Sequence, residues 1–176
     1  MEFFQTLAEC SVAFAGFAAI HAALKGGNTG RVLHRSFTVV LTGALAFILS
    51  ILVLVLDEFD LPVATLWRVA SGIALVGVGY GGYLFYGSHL KLTALGDGPQ
   101  APLIFAVAAL LMLLPIPLLL LNLGGWLWQP GAPAYGAALA MLLGSGVVAL
   151  LGSFWFPLSI AIRNARAGEG TTMQDD

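Results

Sequence analysis

Two residues of opposite charge stand inside runs that are otherwise apolar. Glu9 interrupts the opening stretch MEFFQTLAECSVAFAGFAAIHAAL, and Arg68 lies in the stretch that follows Pro62. An unpaired charge near the centre of a bilayer costs about 2.5–3.5 kcal/mol, so such groups neutralise one another or mark a path for ions and protons. Three imidazoles, His21, His34 and His89, fall at the ends of apolar runs. Three imidazoles on one side could hold a metal or ligate haem. However, no carboxylate or Cys is close to them in sequence, and His21 lies about 120° from Glu9 on a wheel drawn at about 100° per residue. They are therefore read as separate interfacial histidines, with no metal and no cofactor expected. Cys10 adjoins Glu9, but helical neighbours do not face each other, and the serines have no matching His and carboxylate. No catalytic constellation is present, and the chain is not expected to be an enzyme.

The elements that must carry these groups follow from composition. The chain has 176 residues, 59% of them hydrophobic and 9% charged, with a mean hydropathy of +0.94. Soluble proteins carry roughly 25% charged residues, so this chain belongs in lipid. A formal net charge of −2 with scattered basic residues gives no footprint for nucleic acid. One cysteine excludes an internal disulfide framework.

Five apolar runs are long enough to span a bilayer, at about 3–24, 36–56, 63–87, 102–121 and 134–162. They predict an all-α bundle in one transmembrane domain, 1–162, with a flexible polar tail from 163 to 176. The first run has no basic segment before it and no cleavage-like end, unlike a signal peptide. Pro62 opens the third run at a position where helices tolerate proline. GVGYGGYLFYG lies within that run, follows no strand, and fits neither dinucleotide nor Walker spacing. Pro115 and Pro117 predict a kink or local unwinding in the fourth run, and Trp126 and Trp128 suit an interfacial aromatic belt. Gly136, Ala140 and Gly144, with Ser145, Ala149 and Ser153, form two small-residue stripes suited to helix packing, within the chain or between copies.

Charge orients the bundle. Lys25, Arg31, Arg35, Lys91, Arg163 and Arg166 fall on one side of five spans, leaving only Arg68 elsewhere. The positive-inside rule then puts the N-terminus outside and the C-terminus in the cytosol. Glu9 is about 9 Å and Arg68 about 8 Å below the outer surface, from the rise per residue. Matching depth predicts an ion pair.

Helical wheels assign faces to the pair. Glu2, Gln5, Ala13, Gly16, Ile20 and Ala23 cluster within about 40° of Glu9. Phe3, Leu7 and Phe14 lie opposite and are expected to face lipid, so the Glu9 side should face protein. Ser71, Gly72, Gly79, Gly82, Tyr83 and Tyr86 share the side of Arg68, which makes Gln5, Ser71, Tyr83 and Tyr86 candidate supporting polar groups.

The string LAECSVAFAGFAAI, followed by a Gly-rich loop with spaced arginines, resembles small bacterial multi-span membrane proteins with an AxFAGF-type first helix. In those proteins an acidic residue precedes the FAGF element and basic residues open the second helix. These map here to Glu9 and to Arg31 and Arg35. The resemblance covers about the first forty residues and implies a bacterial cytoplasmic membrane protein without implying an activity. His21 departs from it, standing where an aliphatic residue is expected.

The expected function is therefore a channel, transporter or permeation subunit, homo-oligomeric in the lipid bilayer, with Glu9 and Arg68 near its outer side. The alternative is a structural or accessory membrane scaffold in which the pair only clamps helices, and the third is a membrane enzyme or haem protein. A hydrated cavity reaching Glu9 speaks for transport, and a tightly packed core for a scaffold.

Overall fold

The computed structural model describes residues 2–25, 30–94, 102–125 and 130–172. Among these residues every regular element is a helix: α1 (Glu2–Lys25), α2 (Gly30–Asp57), α3 (Val63–Ala94), α4 (Pro102–Leu113), α5 (Pro115–Gly124) and α6 (Ala132–Thr172). With α4 and α5 stacked end to end as one rod, five helices are long and apolar enough to cross a membrane.

The helices outrun the apolar stretches that announce them. α2 takes in Arg31, His34 and Arg35, and α3 continues through SHLKLTA. α6 runs to Thr172 where the sequence predicts a flexible tail from 163, with only 173–176 outside the described residues. Once a helix is nucleated, each added residue contributes another backbone hydrogen bond whether or not it is apolar. The predicted break at Pro115 is present but slight. Leu114 separates α4 from α5 in helical geometry, and its N–H still donates to the Leu110 carbonyl at 2.9 Å. Pro115 and Pro117 have no N–H to offer the carbonyls four residues back, which is the physical cause of the interruption. Pro62 lies just outside α3, its carbonyl accepting the N–H groups of Thr65 at 2.7 Å and Leu66 at 3.0 Å. The tight turn before it uses Asp60 at φ 49°, a left-handed conformation that Asp tolerates better than most residues.

Contacts between helices fix their directions. Gly43 of α2 meets Ser11 and Ala15 of α1, and Gly146 of α6 meets Thr42 of α2 and Phe14 of α1. Higher on the same helices, Leu49 of α2 meets Tyr135 of α6. Neighbouring helices therefore alternate in direction, so the starts of α1, α3 and α6 share one end with the finishes of α2 and α5. α2 and α6 form the centre. Ala46, Leu49 and Val53 pack with Tyr135, Leu139 and Leu142, and Ala70, Ala74, Val78, Met112 and Leu119 close over them from the neighbouring helices. Phe4 of α1, Trp67 of α3 and Tyr135 of α6 form an aromatic triangle, with ring centroids 5.6, 5.9 and 5.8 Å apart.

Buried hydroxyls mostly return to their own helices. Ser11 donates to Leu7 at 2.6 Å, Thr42 to Thr38 at 3.0 Å, Ser50 to Ala46 at 2.7 Å and Ser145 to Leu142 at 2.9 Å. This satisfies each buried hydroxyl without a second helix. Both small-residue stripes of α6 take part in packing. Gly136 admits the ring of Phe3, Gly144 approaches Leu111, and Ala149 packs with Ala18 and Val39.

Candidate functional site

The candidate residues Gln5, Glu9, Arg68 and Ser71 all lie near the end where α1, α3 and α6 begin. On one side of that end, α1 lies along α2. Its buried stripe is Phe4, Ala8, Ser11 and Ala18, at helical spacing. The small members let the backbones approach closely: a Cβ at Gly43 would come within 3.0 Å of the Ala15 Cβ and 3.2 Å of the Ser11 carbonyl oxygen. That close seam turns α1 opposite to the expected way. Leu7 and Phe14 pack into the bundle, and Phe3, though half exposed, rests on Gly136. Gln5, Glu9, Ala13, Gly16 and Ile20 face outward. Bulk does not mark the lipid-facing side of α1; small side chains select its buried face because they permit the tightest approach.

Glu9 and Gln5 consequently meet on the wall of a surface groove of about 510 Å³ between α1 and α2. Ala8, Val12, Ala13, Phe47, Ile51 and Leu54 complete the lining, which is almost wholly apolar. Cys10, the next residue on α1, is exposed.

On the other side of the same end, α3 meets the finish of α5. Asn122, fully buried, donates from Nδ2 to the Ser71 hydroxyl at 2.8 Å and accepts the Gly131 N–H on Oδ1 at 2.8 Å. One side chain thus ties α3, α5 and the approach to α6. α5 then ends at Gly125, whose left-handed φ of 64° suits glycine and whose N–H donates to the Leu121 carbonyl at 3.0 Å. The Arg68 guanidinium lies beside this cap, 3.6 Å from the point a Gly125 Cβ would occupy. A cation at a helix C-terminus meets the negative end of the macrodipole, worth about 0.3–1 kcal/mol.

The candidate residues therefore divide. The structure brings Gln5 and Glu9 together, and it joins Ser71 to Asn122. It leaves Tyr83 and Tyr86 exposed on α3. It does not join Glu9 to Arg68: both are exposed, one in the α1–α2 groove and the other against the α5 cap, and no ion pair links them among the described residues. The reason is placement, since α2 lies between α1 and α3 and the two helices meet only at the Phe4–Trp67 level.

His89 stacks on Phe105, with ring centroids 3.9 Å apart. The side chains of His21 and His34, and residues Trp126 and Trp128, lie outside the described residues. Among the described residues no three His, Cys, Asp or Glu side chains gather in a metal-binding group.

Two features escape the sequence reading. Asn122 is a lone amide in LLLLNLGG, and a buried amide in an apolar run needs hydrogen-bond partners. That signal was legible, but the partners were not. Tyr135 donates its hydroxyl to the Leu49 carbonyl at 2.9 Å from full burial, and nothing local to residue 135 announces it. No family model, curated protein or solved structure matches this chain.

Proposed function

We propose that this chain is a multi-pass protein of the cytoplasmic membrane, N-terminus outside and C-terminus in the cytosol, that acts as a structural or accessory subunit. The alternation of helix directions supports that orientation, because it gathers the six basic residues outside α3's start at one end and leaves Arg68 near the other. One observation carries the choice of function: the intramembrane charges point away from a filled centre. Tyr135, Met112, Leu119, Leu139, Leu142, Val53 and Val78 occupy the middle of the bundle, each fully buried. Glu9 and Arg68 stand on its rim. A rim charge in lipid acts on whatever lies beside the protein.

Permeation is the second reading, favoured by the groove that carries Gln5 and Glu9. Ion and proton flux into proteoliposomes containing the purified chain separates the two. The expected result is flux at the level of empty vesicles. Flux above that level, abolished by Glu9→Gln while assembly is intact, overturns the subunit reading in favour of a pathway.

A further inference from the structure

Glu9 and Arg68 are halves of an interaction that one chain does not complete. Both are exposed, and among the described residues neither has an ion-pair or hydrogen-bond partner. Both belong to the same end of the bundle, since α1 and α3 run in the same direction and touch there through Phe4 and Trp67, 5.6 Å between ring centroids. Glu9 is five residues beyond that contact and Arg68 one residue beyond it. Their heights therefore differ by about 6 Å at the helical rise of about 1.5 Å per residue, an offset a long arginine side chain can bridge.

The two charges open on different sides. Glu9 faces a groove walled by Phe47, Ile51 and Leu54 of α2, whereas Arg68 lies on the edge of α3 that turns to Gly125 of α5. Opposite charges at similar height on different sides of one molecule are what a head-to-tail contact between identical copies needs. Resting on the subunit reading above, we propose that the occupant of the α1–α2 groove is a second copy of this chain, whose Arg68 pairs with Glu9. The carboxylates of Asp57, Glu58 and Asp60 share the same end and are exposed. They sit in and beside the turn that closes α2, where water solvates them, whereas Glu9 is inside an apolar run and gains more from neutralisation. The pair fits the groove chemically as well: its polar lining is Gln5 and Glu9, and the remainder is apolar surface that suits the methylene stem of an arginine.

Cross-linking in membranes tests the contact. In a Cys10→Ser background that keeps Glu9 and Arg68, copies carrying Gln5→Cys, one turn before Glu9, are co-expressed with copies carrying Thr65→Cys, one turn before Arg68, and treated with a short thiol cross-linker. A cross-linked dimer is expected from the mixture only, and a ladder from chains carrying both cysteines. Association is then followed by single-molecule fluorescence in phosphatidylcholine–phosphatidylglycerol vesicles. Glu9→Arg and Arg68→Glu are each expected to weaken it by about tenfold or more, and the two reversals together to restore it. Glu9→Gln, which changes no volume, is expected to weaken association in the same direction and guards against misfolding as the cause. A wild-type chain that stays monomeric, single reversals that associate like wild type, or a mixture that yields no cross-link overturns the pairing. A monomeric chain without flux sinks this contact and leaves the subunit reading standing, whereas Glu9-dependent flux sinks the reading itself.

Discussion

The bundle secures its two flanking seams by different means. Along α1–α2 the backbones close on small residues, with Gly43 against Ser11 and Ala15, and the buried hydroxyl of Ser11 satisfied inside its own helix. Along α3–α5 a polar clasp does the joining: Asn122 holds Ser71 on one side and the Gly131 N–H on the other. The first seam tolerates no added volume, and the second tolerates no lost hydrogen-bonding group. Both solutions are available in lipid, where helices gain little from hydrophobic burial against one another and must rely on close packing and hydrogen bonds. Each seam also leaves one charge at its margin, Glu9 on the first and Arg68 on the second.

Substitutions that attack each seam by its own weakness sharpen the contrast. Gly43→Leu is expected to have the largest effect, about 3 kcal/mol of destabilisation, because its side chain must displace the α1 backbone. Steric-trapping or detergent-denaturation measurements of stability check it, and a neutral outcome would mean the seam is looser than the Gly43 geometry implies. Asn122→Ala is expected to cost about 2 kcal/mol, since it leaves the Gly131 N–H and Ser71 hydroxyl without their partner. A double-mutant cycle with Ser71→Ala should recover a coupling of about 0.6 kcal/mol, the usual size for interhelical hydrogen bonds in membranes. Tyr135→Phe removes one donor from a carbonyl already placed in a helix and is expected to cost about 1 kcal/mol by the same assay. Glu9→Gln is expected to change the stability of the isolated chain by less than about 0.5 kcal/mol, as surface substitutions do, and Arg68→Gln by no more than the roughly 1 kcal/mol of its helix-end interaction. A large loss at either position would mean the charge is structural within the chain.

What the sequence made legible is tied to length and apolarity. Phe37–Asp57 and Leu103–Gly124 are legible as helices long and apolar enough to cross a membrane because their runs are strongly apolar over 21 and 22 residues. The helix ends were less legible, since Arg31, Lys91 and Arg163 continue helices that apolarity alone terminates. The faces were least legible. Apolarity is spread almost evenly around α1, so a wheel offers no direction, and the decisive fact is the position of Gly43 on another helix. Depth placed Glu9 and Arg68 at one end from sequence alone, which the Phe4–Trp67 contact supports, but depth says nothing about the helix between them. Asn122 could be flagged from its surroundings, whereas Ser71 as its partner depends on how α5 crosses α3.

The central claim is that Glu9 and Arg68 do not meet within one chain. Spin labels at Gln5→Cys and Thr65→Cys in a Cys10→Ser background that keeps both charges, measured by pulsed dipolar spectroscopy after dilution into excess unlabelled chain, test it directly. Contact-range coupling present in undiluted membranes is expected to disappear on dilution. Contact-range coupling that survives dilution would place the pair inside one chain and contradict it.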